Sequence, residues 1–369
     1  MRIVVAVTND LVSDQRVSRT CQTLFEEGYA VLLVGRMLLD KTPIQRPYET
    51  CRMRLLFRRS ALFYAEYNVR LFFKLLFSAW DMVYANDTDT LLGAFCAARL
   101  RRKKIFFDAH ELFPEVPELV GRKRVKRIWQ AIEKLLIPRV DGAVTVCQSI
   151  SDIYRQKMGV EMGVVRNVPI IKQCVNQSEW PFQFKNPFII YQGAVNVGRG
   201  VDWLIEAMRY LPQYHLVIAG VGDEYDTMRN MAASQIYSDR IHFLGRLVPD
   251  DLRLITPHAL LGTCLLENRG LNYYYAFPNR IGDFVAAGIP VLATNFPEIS
   301  KVVTQYGIGQ LVTEERGEQL ALKIQQTIAW WNGIPITQRQ QRMCTAAADL
   351  DWNVDKNVLL NAVDKIMRQ

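Results

Sequence analysis

Residues 272–294 read NYYYAFPNRIGDFVAAGIPVLAT, and their types and spacing suit an anion lying beside a pair of hydroxyls. Pro278 breaks the preceding segment and Asn279 is a residue type that caps helices, so 280–287 is predicted as a short helix. Gly288 closes it, and a buried strand follows over 291–294. Arg280 and Asp283 lie three apart, on one face of the first turn. The free N–H groups and positive dipole end favour a phosphate there, and Arg280 adds a mobile cation. Asp283 is suited to accept from vicinal hydroxyls, so a diphosphate next to a ribose fits the turn. A capped surface helix with a local ion pair accounts for the same residues.

Other segments carry chemistry-bearing residues at strand ends. YQGAVNVGRGV, from Tyr191, is a glycine-rich loop that brings backbone amides toward a phosphate, with Arg199 at the helix entrance. An ordinary βα loop explains it too. Gly220 and Gly222 follow another strand, where a tight turn needs no nucleotide, and Arg246 ends a third. Asp108-Ala-His110-Glu111 follows a buried strand; its histidine is placed to bond a sugar hydroxyl or to position charge as a phosphate departs. A structural hydrogen-bonding role suits the same histidine. Asp87-Thr88-Asp89 has the form of a metal motif, but Asp89 reads as the cap of a helix over 89–101, and no supporting ligands accompany it.

These residues need elements to hold them. The 369 residues exceed one ordinary core, and two domains are expected. Strands are predicted at 3–7, 31–34, 82–84, 105–107 and 143–146, alternating with helices at 15–28, 61–79, 89–101, 123–137 and 149–158. The pattern breaks at 168–187, read as a linker, and restarts with strands at 188–191, 215–219, 241–243, 259–263 and 291–294. Such alternation implies an α/β class with parallel sheets covered on both faces, which bind ligands at the carboxyl strand ends. The predicted divisions are 1–168, 187–350 and a terminal helix within 351–369. No G-x-G-x-x-G follows the first strand.

Charge is uneven: residues 1–170 hold 27 Lys+Arg against 18 Asp+Glu, and the rest 18 against 19. An anionic partner is therefore expected in the first half. In the helix of 61–80 Glu66, Arg70 and Lys74 line one stripe while Phe, Leu and Trp cover nearly everything else, and it follows Arg52, Arg54, Arg58 and Arg59. With the basic runs at 101–104 and 122–127 it suits either core packing or an anionic lipid surface. Nucleic acid is disfavoured, because no binding module or interleaved aromatic set accompanies the basic runs. Seven singly scattered cysteines fit a reducing cytoplasm, and the first residues read as a strand rather than a signal peptide.

The run Pro278, Asn279, Arg280, Asp283, Phe284, Ala286, Gly288, Pro290, Val291 resembles the donor motif of the retaining glycosyltransferase family 4. The resemblance implies a GT-B fold, two Rossmann-like doubly wound parallel-sheet domains facing a central crevice, closing on a hinge. It further implies a nucleotide-diphosphate sugar donor, net retention at the anomeric carbon, and neither metal nor cofactor. Donor contacts carry over to Gly193, Arg199, Gly222, Arg246, Asn279, Arg280 and Asp283. His110 matches the family's sugar-binding histidine region, and Asp14 and Arg16, in Asn9-Asp10-Leu-Val-Ser-Asp14-Gln-Arg16-Val, fall on the acceptor side, where a capped, salt-bridged helix explains them as well. The chain departs from the pattern in three places: Asp283 replaces a glutamate, Tyr275 stands at the family's upstream glutamate, and Ala194 at its first loop arginine. Glu267, in a loop able to fold back, is the remaining acid for the sugar, and Arg280 a replacement for the missing loop charge. The expected activity is sugar transfer to a glycan or lipid-linked acceptor in surface polysaccharide or glycolipid assembly, by a cytoplasmic protein peripheral to the membrane. A silent nucleotide-sugar-binding subunit or an epimerase of the same architecture are the alternatives.

Overall fold

A computed structural model describes residues 1–12, 14–37, 43–171 and 182–368. It divides into two compact units: Met1–Asn167 with Gly270–Asn272 and Asn353–Gln369, and Val168–Arg269 with Tyr273–Trp352. The predicted linker lies partly outside the described residues.

In the first unit, in chain order, are β1 (Arg2–Asp10), α1 (Gln15–Glu26), β2 (Ala30–Arg36), β3 (Glu49–Met53), α2 (Ser60–Leu76), β4 (Met82–Asn86), α3 (Thr88–Arg101), β5 (Lys104–Ala109), α4 (Lys123–Leu136), β6 (Gly142–Thr145), α5 (Gln148–Met158) and β7 (Gly163–Val164). The strands form a parallel sheet in the order β3-β2-β1-β4-β5-β6-β7. The chain starts at β1, winds outward to β3, then crosses back to β4. The order therefore reverses between β1 and β4, the place where sheets of this kind bind ligands at their carboxyl ends. The apolar runs of β1, β4 and β5 are buried because helices cover both faces.

The second unit repeats this plan with β8 (Phe188–Gln192), α6 (Val201–Ala207), β9 (His215–Ala219), α7 (Tyr225–Ala233), β10 (Ile241–Gly245), α8 (Pro249–Ile255), β11 (Leu261–Cys264), a short α9 (Leu271–Tyr274), α10 (Arg280–Ala286), β12 (Val291–Thr294), α11 (Pro297–Tyr306), β13 (Gly309–Val312), α12 (Gly317–Gly333) and α13 (Ile336–Asp349). Its sheet order is β10-β9-β8-β11-β12-β13, reversing between β8 and β11. Two apolar clusters form its core: one holds Phe188, Ile190, Phe284 and Val291, the other Ile189, Tyr191, Trp203 and Leu204. Alternation along β8 thus feeds both layers, as a strand covered on both faces requires.

The last helix, α14 (Trp352–Met367), belongs from Asn353 onward to the first unit. Asp355 accepts from Arg166 Nη2 at 3.0 Å, and Tyr29 donates to Asp364 at 2.6 Å. Three strands, β3, β7 and β13, are additions to the sequence expectation. Two of them are the edges of the first sheet and one an edge of the second. Edge strands pair on one side only, so ETCRM and GQLV need no continuous apolar run.

Helix α2 sets Phe63, Tyr67, Leu71 and Leu75 toward the core, one face at four-residue spacing. It approaches α3 at Gly93, where an added Cβ meets Asn68 O at 2.4 Å and Asn68 Oδ1 already accepts from the Gly93 N–H at 2.8 Å. Gly93→Ala should therefore cost about 1–3 kcal/mol by forcing the helices apart. Gly333→Ala, with nothing within 4 Å of the new Cβ, should be neutral or stabilising by up to about 1 kcal/mol. Urea midpoints of the two variants measure the contrast.

Candidate functional site

In the second unit, the residues with donor chemistry gather at the carboxyl ends of β8 and β11. Arg280 is 7% exposed. Its guanidinium lies 4.6 Å from the Tyr191 ring centroid and passes within 3.2 Å of where a Cβ on Gly193 would stand. Gly193, at φ +125°, is thus required twice, by its backbone conformation and by the arginine beside it. Arg280 Nη1 is buried and has no hydrogen-bond partner among the described residues. A buried guanidinium N–H left unmade is costly, and an anion entering the loop removes that cost.

Asp283, one turn on, accepts from Gln192 Nε2 at 3.0 Å, and Gln192 Oε1 accepts from Thr256 at 3.0 Å. This chain fixes the amide's orientation and aims the carboxylate. Arg199 donates to the Tyr273 hydroxyl at 3.1 Å and stacks on that ring. The loop bearing Glu267 packs on the glycine-rich loop, its N–H donating to Gly198 O at 2.9 Å. The Glu267 carboxylate takes Arg269 Nε at 2.5 Å and Arg316 Nη2 at 3.1 Å. Glu267, Arg269 and Arg316, with Trp203, Asn268 and Glu314, line a polar cleft of about 390 Å³.

Several expectations need correction. Arg280 is a buried side chain rather than a mobile surface cation. Asn279 has helical backbone angles and makes no side-chain cap. Its helix has seven residues, so the Arg280 side chain, not a long helix dipole, carries the positive charge. Gly222 serves loop packing: a Cβ there meets Asn196 Oδ1 at 2.2 Å and Val195 O at 2.4 Å. Arg246 is exposed after the edge strand β10, two strands from β8.

The first unit gathers its ionisable groups at the ends of β1, β4 and β5. Asp108 is fully buried and accepts from Arg16 Nη2 at 2.8 Å and the Tyr84 hydroxyl at 2.7 Å. Arg16, 3% exposed, also donates to Val165 O at 2.8 Å. It therefore sits in the core, not among surface acceptor ligands. Asp14 caps α1, accepting from Val17 N at 3.0 Å, as the capped-helix alternative supposes. Against the burial penalty, Arg16 and then His110 hold the Asp108 carboxyl well below the usual carboxylate range.

His110 has carboxylates on both sides: Nε2 is 3.2 Å from Asp108 Oδ2, an ion contact too poorly aligned for a hydrogen bond, and Nδ1 is 3.5 Å from Asp87 Oδ2. The His110 backbone N–H donates to Asp87 Oδ1 at 2.8 Å. Burial works to lower the imidazole pKa, but Asp108 and then Asp87 outweigh it and raise it to about 9. A histidine so held is a standing cation at neutral pH, suited to a hydroxyl or phosphate oxygen and unsuited to act as a base. Asp87, not Asp89, precedes the first residue of α3, at a strained φ of +59°. Burial pushes its carboxyl up to about 7, a shift moderated by the 20% exposure its side chain retains. Asp89 is buried within the first turn and accepts from Thr8 at 2.6 Å. Among the described residues no group of three or more His, Cys, Asp and Glu is arranged to hold a metal.

Gln192, Tyr191, Thr256, Tyr273 and Tyr84 shape the sites without standing in any motif position of the sequence, and Asp87, in the Asp87-Thr88-Asp89 run, faces His110 instead of a metal. Gln192 and Tyr191 stand inside the quoted loop segment, a usable signal; Thr256 lies in a turn with no motif.

Replacing Arg16 by Met strands the Asp108 charge and should cost about 3–5 kcal/mol of stability, read by chemical denaturation. The His110 ring resonances should titrate near pH 9 in the folded protein, and Asp87→Asn should lower that midpoint. Because the folded state binds this proton more tightly, its stabilisation is complete below about pH 6.5. It is lost as pH rises through about 9, so denaturation midpoints should decline across that window.

Comparison with known proteins accords with this geometry. Residues 175–343 match the family model described as glycosyl transferases group 1, and residues 15–169 match glycosyltransferase family 4. No curated protein matches the sequence. Among solved structures, sucrose-phosphate synthase from Thermosynechococcus elongatus superposes with a TM-score of 0.81 at 16% identity, covering 100% of this chain and 99% of that one. A glycosyltransferase from Rickettsia africae gives 0.75 at 13% identity, covering 100% and 99%. HepE of Anabaena in complex with UDP-glucose gives 0.73 at 14%, covering 99% and 100%. At these identities the likeness establishes the fold, and the two family models, which between them span both units, establish membership: the chain belongs to the glycosyl transferases group 1 family and has the GT-B fold.

Proposed function

We propose that this protein transfers a sugar from a nucleotide-diphosphate sugar of the UDP or GDP type to a glycan or lipid-linked acceptor, with retention of anomeric configuration, in surface polysaccharide or glycolipid assembly. The observation that carries this reading is the buried, unpartnered Nη1 of Arg280 beside the Gly193 loop. A diphosphate supplies the acceptor oxygens that this group lacks, and Asp283, aimed by Gln192, is placed to take ribose hydroxyls. That HepE of Anabaena is described in complex with UDP and with UDP-glucose supports a nucleotide-sugar ligand for this architecture.

The central step is departure of the nucleotide diphosphate from the anomeric carbon. Arg280 and Arg199 stabilise the negative charge as it develops, and a fixed donor set needs no reorganisation to do so. The standing charge on His110 suits a sugar hydroxyl or the departing phosphate. None of the acids described stands as a free covalent nucleophile: Asp283 is held by Gln192 and Glu267 by two arginines. Same-face attack, with the leaving phosphate taking the acceptor's proton, is the mechanism consistent with retention. Loop amides and arginines do the electrostatic work in this scheme, and no metal is required by it.

A panel of nucleoside diphosphates and their sugars, scored by thermal shift and by release of the diphosphate, tests the reading. One base should raise the melting temperature and its sugar should be slowly hydrolysed without acceptor. Asp283→Ala should weaken donor binding about tenfold or more, the usual loss for hydrogen bonds to a charged group. Absence of stabilisation by every nucleotide contradicts the proposal. Binding with no release under any acceptor condition identifies instead a silent binding subunit.

A further inference from the structure

Two basic segments of the first unit, Arg58-Arg59 in the loop entering α2 and 122–127 at the start of α4, lie on neighbouring helices. Helix α2 packs on α3 and α3 on α4, while Tyr64 of α2 meets Trp129 of α4 edge-on at 5.1 Å. The outer side of this layer is apolar as well as basic. On α2, Leu62, Val69 and Phe73 are exposed at helical spacing, and Phe77, just beyond its end and stacked on Phe73, is 81% exposed. On α4, Val125, Ile128 and Leu135 are exposed, and only Glu133 and Leu136 of the whole helix are buried. The loop entering α2 adds exposed Leu56 and Phe57.

Among these side chains stand Arg58, Arg59, Lys123, Arg124 and Arg127, for which no carboxylate partner is found among the described residues. Exposed apolar side chains are unfavourable in water, and interspersed with cations they match one environment well. The cations meet lipid phosphates while Leu, Phe and Ile enter the headgroup–acyl boundary. The Lys and Arg excess of the chain is confined to residues 1–170, the half that carries this face. No helix among the described residues is long and apolar enough to cross a membrane, so any attachment through these helices is peripheral.

We infer that the outer face of α2 and α4, with the loop before α2, docks on an anionic lipid bilayer. The occupant is the bilayer rather than a nucleic acid or a second copy of the chain. Nucleic acid would leave the exposed Leu, Val and Phe side chains unburied, and a twofold contact would set like charges against each other. The inference goes beyond the sugar-transfer reading and stands or falls independently of it, since docking needs no donor.

Sedimentation of the full chain with phosphatidylcholine vesicles, with and without phosphatidylglycerol, tests it in the absence of nucleotide. Binding should require phosphatidylglycerol and weaken as salt rises. The variant Lys123→Glu/Arg124→Glu/Arg127→Glu should bind about a hundredfold less tightly, given the contribution of each cation near an anionic surface. Phe73→Ser/Phe77→Ser should weaken binding about tenfold or more with less change in its salt dependence. Both variants alter exposed side chains, and unchanged melting temperatures and nucleotide stabilisation verify that they are folded. Absence of vesicle binding at low salt, equal binding to pure phosphatidylcholine, or a triple variant that binds as the native protein does, overturns the proposal. So does a shift of the native protein from dimer to monomer on charge reversal, which would assign the face to a second copy.

Discussion

The first unit is organised around one buried charge. Asp108 stands at the carboxyl end of a central strand with essentially no access to water, and an isolated carboxylate there is untenable. Arg16 reaches it from α1, Tyr84 from β4 and His110 from the following turn. Arg16 also ties in Val165 beyond β7. Satisfying Asp108 therefore fixes the relative positions of α1, β4, β5 and the segment after the last strand, at the sheet end where ligands bind in such folds. It also fixes the protonation of His110. A group that alone would titrate near neutrality is held protonated at neutral pH because its two neighbours are carboxylates.

The second unit has the opposite arrangement. Arg280 is as buried as Arg16, yet its Nη1 faces no acceptor among the described residues. The Tyr191 ring and the bare Gly193 backbone make room for the guanidinium and leave that nitrogen without an acceptor. In the first unit the buried arginine is neutralised by a carboxylate, Asp108, whereas in the second the Nη1 of Arg280 is left for a ligand to complete. The family pattern has a loop arginine at the position of Ala194. Here the guanidinium of Arg280, from the start of α10, lies beside Gly193 of the same loop.

Much of this was legible in the sequence, where the signal is local. The alternation of β1, β4, β5, β8 and β12 with helices marks buried parallel strands, and the pattern around Arg280 marks the family. Edge strands β3 and β13 were not legible, because their half-exposed residues obey no burial period. Side-chain fates depended on partners distant in sequence: Arg16 binds Asp108, 92 positions away, and Asp283 binds Gln192, 91 away. The local pattern at Asp14-Gln-Arg16 fits a capped helix equally well whether the arginine points to solvent or to the core. Asn279 and Asp89 are capping residue types whose backbone was decided by neighbouring packing instead.

The central claim is that the unpaired guanidinium of Arg280 is the anion-binding group of a donor site. The most direct measurement is calorimetric titration of the most strongly stabilising nucleoside diphosphate into the native chain and into Arg280→Met, with melting temperatures measured alongside. Removing an unsatisfied buried charge in favour of an apolar side chain of similar length should leave stability intact or improved, while affinity falls about 10- to 100-fold. Equal affinity for the nucleotide in a variant that melts as the native protein does would contradict the account.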